Sequence, residues 1–125
     1  MIYENDISYE IRGAIYSVYN NIGPGLLESI YESALDYELK KLGLKTKRQV
    51  VLPFHYCGDQ LGSFRLDLLV NDKVIVEVKS VAELLPVHHK QLISYLKLSN
   101  FRLGILVNFN VNNINEGIFR KVNGL

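Results

Sequence analysis

The chain has 125 residues, 48% apolar and 22% charged, which suits one domain (residues 1–125) with a real core. No apolar run reaches the ~18 residues that a membrane helix needs, so a helical membrane protein is excluded. The formal charge is +1, from 14 basic and 13 acidic side chains; this lacks the basic excess of a dedicated nucleic-acid binder, although acids that hold metal ions would offset such an excess.

The opening Met-Ile-Tyr-Glu-Asn-Asp lacks the basic start and apolar stretch of a signal peptide. Asn5 or Asp6 can cap a first helix, in which Ile7, Ile11, Ala14, Ile15 and Val18 follow helical spacing. Gly23-Pro24-Gly25 ends it. That turn follows no strand and lacks a Lys-Ser/Thr pair, so it joins helices and is not a phosphate loop. The spacing predicts a second helix from about Leu26 to Leu42, with Leu27, Ile30, Tyr31, Ala34, Leu35, Leu39 and Leu42 as its apolar stripe. At about 100° per residue, Glu28 falls within that arc and faces inward or to the rim. A dipole role in the first turn is the structural alternative. Glu38 shares the arc. The basic residues Lys40, Lys41, Lys45, Lys47 and Arg48 form a solvated helix end or a phosphate-contacting patch.

Arg48 to Tyr56 is predicted as a strand, at an edge or bulged because of Pro53. Cys57-Gly58-Asp59-Gln60 is a turn. Cys57 is the only cysteine, so no internal disulfide forms and a reducing cytoplasm is the expected compartment. Phe64 to Val70 alternates apart from Leu69, and so does Val74 to Lys79. Even positions are apolar and define the expected buried face. Arg65, Asp67, Glu77 and Lys79 occupy odd positions on the other. Asn71-Asp72-Lys73 is a turn. If Val70 pairs with Val74, the register sets Asp67 directly opposite Glu77. Facing carboxylates repel at a cost of ~1 kcal/mol. They require a cation, and the candidates are Lys79, Arg65 and a divalent metal.

Ser80-Val81-Ala82-Glu83 has the form of a capping box, and Pro86 can open a third helix to about Leu98. There Gln91 and Tyr95 share a face, with His88 nearby. They suit holding a phosphodiester or a base; alternatively Tyr95 is core and Gln91 surface. His88 and His89 point about 100° apart, and no cysteine pair completes a zinc site. Arg102 to Phe109 is a near-continuous apolar run, expected of a central strand. Asn110 to Asn115 is loop, and Gly117 to Val122 a short last strand. The order is α-α-β-β-β-α-β, an α/β fold with a mixed sheet flanked by helices.

Together these motifs resemble a known family. Gly25-Leu26-Leu27-Glu28-Ser29-Ile30-Tyr31 matches the signature of the GxxExxY proteins. Asp67, Glu77-Val78-Lys79, Gln91 and Tyr95 match the D…ExK…QxxxY pattern of the exonuclease branch of the PD-(D/E)xK nuclease superfamily. Leu85-Pro86-Val87-His88 and Val107-Asn108-Phe109-Asn110 are similar to family members as well, and the resemblance covers nearly the whole chain. Tyr19 stands where family members often carry His. The resemblance implies a restriction-endonuclease-like core and a metal-dependent nuclease. Asp67, Glu77 and the Val78 carbonyl would hold Mg²⁺ or Mn²⁺, with Glu28 reaching the ion directly or through water. Lys79 would orient the attacking water or stabilise charge on the phosphate. Gln91, Tyr95, Tyr31 and His88 would contact substrate, and Arg65 a phosphate. The expected reaction is phosphodiester hydrolysis in DNA, with RNA less favoured. Two rivals stay open: a nucleic-acid-binding or regulatory module on the same scaffold with little turnover, and a purely structural domain. From size alone, a homodimer spanning a duplex is an alternative to a monomer.

Overall fold

The computed structural model describes residues 3–125; the first two residues of the expected domain lie outside it. Helices α1 (Glu4–Ile22) and α2 (Glu28–Lys41) lead into strands β1 (Thr46–Tyr56), β2 (Asp59–Val70) and β3 (Val74–Lys79). Helix α3 (Pro86–Ser99), β4 (Leu103–Asn108), a 3-10 turn (Ile114–Gly117) and β5 (Ile118–Val122) follow. This is the order expected from the sequence, with the short last strand present. The sheet runs β1-β2-β3-β4-β5. All neighbours are antiparallel except β3 and β4, and α3 supplies the crossover that a parallel pair needs. Pro53 lies on the edge strand β1, and the register slips between Phe54 and His55, so both effects expected of that proline are present.

Helices cover both faces. On one, Ile7, Ile11, Ile15, Leu35 and Leu39 pack against Leu68, Val70, Val74, Val76 and Val78. On the other, Leu92 and Leu96 of α3 pack against Leu66, Leu69, Ile75 and Leu106. The expectation of one buried and one polar face is therefore corrected. Leu69, the exception to alternation, is core on the second face, and Glu77 is only 4% exposed.

Leu66 and Leu68 fall in opposite clusters, so β2 changes phase at Asp67. Across from it, Gln49 has a φ of +52° and drops out of the pairing between Arg48↔Leu68 and Val50↔Leu66. No residue is inserted, because the partner numbers keep the same offset on both sides.

Three local expectations change. Tyr3 is the N-cap of α1, and Asp6 helps from the third position by accepting the Tyr3 amide at 3.2 Å. α2 begins at Glu28, and Leu27, Ile30 and Leu42 of the expected stripe are exposed. Ser80 to Glu83 is connection and caps no helix; α3 is closed instead by His88, whose Nδ1 accepts the Leu85 amide at 2.9 Å. Each of the basic residues from Lys40 to Arg48 meets an acid of the chain. Lys45 and Lys47 pair with Asp72, Lys40 with Asp36, Lys41 with Glu38 and Arg48 with Glu32. Among the described residues, no helix is long and apolar enough to cross a membrane.

Candidate active site

The β2–β3 ladder pairs Val70↔Val74, Leu69↔Ile75 and Leu68↔Val76, then stops. Asn71 and Asp72 make the turn at φ +52°, a conformation their short polar side chains tolerate. Continued by one step, that register sets Asp67 against Glu77. There the carboxylates replace the ladder. The Asp67 amide donates to Glu77 Oε2 at 2.9 Å, and the Val78 amide donates to Asp67 Oδ2 at 2.8 Å. Each acid thus takes up a main-chain donor released where the strands part. Asp67 Oδ1 and Glu77 Oε1 stay outside this exchange.

The pair is electrostatically uncomfortable. Burial, then the neighbouring Asp67 charge, pushes Glu77 up to about 8, against the pull of the Asp67 amide and Lys79. Burial likewise raises Asp67, with smaller contributions from Glu32 and Glu28, while the Val78 amide and Lys79 oppose it. Tyr95 is raised by burial and by the charges of Glu77 and Asp67, which places its phenol within their field. Lys79 enters none of the ion pairs among the described residues.

The segment Gly25–Tyr31 is self-clamped. Gly25 takes φ +101°, which suits a residue without Cβ. The Tyr31 hydroxyl donates to the Gly23 carbonyl at 2.6 Å and accepts the Leu26 amide at 3.2 Å. Its ring stacks on Phe109, centroids 4.4 Å apart. Glu28, the first residue of α2, accepts the Ser80 amide at 3.3 Å, and the Ser80 hydroxyl donates to the Leu26 carbonyl at 2.5 Å. The end of β3 is thereby tied to the start of α2. Glu28, Ser29, Glu32, Gln49, Asp67 and Val78 line one recess of about 140 Å³.

The structure therefore joins Asp67 to Glu77 and Val78, and sets Glu28 on the same recess as Asp67 and Val78, with Lys79 and Tyr95 in electrostatic reach of the two paired acids. Gln91 is exposed on α3, one turn before Tyr95, whose ring lies 5.0 Å from Phe64. Three expected site residues make other contacts. Tyr31 is fully buried and braces the loop before Glu28. His88 spends Nδ1 on the helix start. Arg65 is exposed beside Val51 and Ser63, because the phase change at Asp67 separates it from the carboxylates. At Tyr19 the hydroxyl donates to the Val111 carbonyl at 2.5 Å. Four residues that sequence reasoning missed build the surroundings. Glu32 could have been found, since it lies one turn after Glu28 on the same helix face. Gln49 carries no local signal. Ser80 and Asn108 serve backbone groups; Asn108, 3% exposed, bonds both the amide and the carbonyl of Val81.

A profile of the PD-(D/E)XK nuclease superfamily matches residues 5–121. The chain belongs to that superfamily. The mixed five-stranded sheet with helices on both faces is its restriction-endonuclease-like fold. The crystal structure of SSO0001 aligns with 78% of this chain at 26% identity and a TM-score of 0.57. This chain spans about half (51%) of that protein's length. None of the curated proteins matches.

PD-(D/E)XK nucleases generally use divalent metals and act on nucleic acid, and the donors here fit such an ion. Buried Glu77 and half-buried Asp67 are both pushed toward protonation, chiefly by burial, and a cation would relieve them. Among the described residues, no three His, Cys, Asp or Glu side chains stand close enough to share one. A divalent ion such as Mg²⁺ can be held by one or two carboxylates while it keeps several waters. The recess has room for water.

Proposed function

We propose that the protein is a metal-dependent nuclease that hydrolyses phosphodiester bonds in DNA. The observation that carries this reading is the reciprocal Asp67–Glu77 arrangement at the open end of β2 and β3. These two acids hold one Mg²⁺ or Mn²⁺, and the Val78 carbonyl is the third donor. A strand residue directs its amide and carbonyl to the same neighbour, and the Val78 amide already points at Asp67. A bound ion supplies Lewis acidity toward a phosphoryl oxygen and acidifies water. Lys79, free of ion pairs among the described residues, stabilises charge that develops on the phosphate. Glu28, on the same recess as Asp67 and Val78, would reach the ion through water. Tyr95 and Gln91, read as a QxxxY motif, position the substrate strand, the phenol ring offering a stacking surface. Gly25 to Tyr31, read as a GxxExxY signature, presents Glu28. The exposed free thiol of Cys57 fits a reducing compartment such as the cytoplasm.

The test is incubation of labelled single- and double-stranded DNA and RNA with Mg²⁺ or Mn²⁺. Wild type should cleave DNA in preference to RNA; Asp67→Ala and Lys79→Ala should lose at least 100-fold, on the order of one electrostatic contact. Equal residual cleavage in all three proteins would remove the reading. Wild type that binds nucleic acid without cutting it would make the domain a binding or regulatory module. Light scattering at tens of micromolar, with and without duplex, decides between monomer and a homodimer across the duplex.

A further inference from the structure

We infer that Gln49 and Glu32 are positioning residues: their hydrogen bond holds β1 in a left-handed kink that directs Asp67 into the opening against Glu77. The inference rests on the nuclease reading above. Among the described residues, five non-glycine residues have positive φ. Cys57, Asn71 and Asp72 lie in turns and Asn100 caps α3. Gln49 stands inside a strand. Glutamine has no intrinsic preference for this conformation, in which Cβ crowds the following carbonyl, so tertiary contacts must hold it there.

Those contacts come from α2. Gln49 Nε2 donates to Glu32 Oε1 at 2.6 Å, and Arg48 Nε donates to Glu32 Oε2 at 3.0 Å. Glu32 is only 6% exposed. Two consecutive residues thus reach one carboxylate on one face, which an extended strand forbids because neighbours point to opposite faces. The kink inverts everything beyond it. Leu68, opposite Arg48, faces α1 and α2, whereas Leu66, opposite Val50, faces α3. Asp67 sits at the inversion. With Gln49 extended, Asp67 would rejoin the β1–β2 alternation, and its carboxylate would leave the Val78 amide. Strain of this kind, held by surroundings at a site, is consistent with a functional role.

Gln49→Leu, Gln49→Gly and Glu32→Ala separate shape from contact in two measurements: hydrogen exchange at the Val78 amide in the metal-free protein, and Mn²⁺ affinity by calorimetry. Gln49→Leu, and Glu32→Ala with it, should speed Val78 exchange and weaken Mn²⁺ binding at least tenfold. Gln49→Gly removes the same side chain but tolerates the kink, and should recover both to within about threefold. Should the leucine variant fail to fold, Gln49→Ala takes its place. Wild-type behaviour in the leucine or Glu32→Ala variant would overturn the inference. So would a glycine variant as impaired as the leucine one, which would make Gln49 a direct contact. Wild type without Mn²⁺ affinity would count against the nuclease reading, while exchange at Val78 would still decide the positioning.

Discussion

Glu77 holds the backbone of Asp67. Its Oε2 accepts the Asp67 amide at 2.9 Å, so the second acid of the pair is fixed by the first across the parted strands. Burial and like charge strain this arrangement.

That strain makes stability depend on pH. Glu77 is raised from 4.5 to about 8 on folding. Between these values the native state keeps a proton that the unfolded state has lost. The contribution is full below pH 4.5 and is lost as pH rises through 8. Urea midpoints of the metal-free protein should show this fall, and Glu77→Gln should flatten it. At pH 8 the variant should be the more stable by roughly 1–3 kcal/mol. Parallel curves for the two proteins would contradict the assignment.

A divalent ion should reverse the penalty. At 100 times its dissociation constant, Mg²⁺ should add about 2.7 kcal/mol to wild type and little to Asp67→Asn. Because the ion competes with the proton on Glu77, affinity should rise from pH 6 to pH 8. Calorimetry at the two pH values checks both statements.

Tyr31 should report on stability and leave substrate contact untouched. Tyr31→Phe removes the bonds to Gly23 and Leu26 and should cost about 1–2 kcal/mol. Tyr31→Ala also loses the stack on Phe109 and should cost roughly 3–5 kcal/mol. Denaturant unfolding measures the losses. An unchanged midpoint for the phenylalanine variant, with a large rise in KM, would restore the substrate role expected from the sequence.

Two glycines should differ sharply. A Cβ at Gly117 would collide with the Asn108 carbonyl oxygen, while one at Gly104 meets the end of the Leu92 side chain at 2.8 Å. Backbone cannot yield as a leucine can. Gly117→Ala should therefore cost about 2–3 kcal/mol and Gly104→Ala roughly half that, read from thermal unfolding.

Much of this was legible in the sequence. Helical spacing in α1, the Asn71–Lys73 turn and the apolar run of β4 predicted the element order and brought Asp67 to Glu77. Those signals are local, or rest on one hairpin register. The phase change at Asp67 was not legible, because a left-handed glutamine is imposed from α2, and it displaced Arg65 from the site. Tyr31 looked like a ligand contact only because its partners, Gly23 and Phe109, are set by the fold. His88 capped a helix whose start depended on where the connection from β3 ended. The second buried face of the sheet explains Leu69, which alternation alone left unexplained.

The most direct test is an amide-resolved NMR titration of the metal-free protein with substoichiometric Mn²⁺. Paramagnetic broadening should appear first at Asp67, Val78 and Lys79, and should vanish in the double variant Asp67→Asn, Glu77→Gln. Sharp amides there while other regions broaden, or the same broadening in the double variant, would contradict the account.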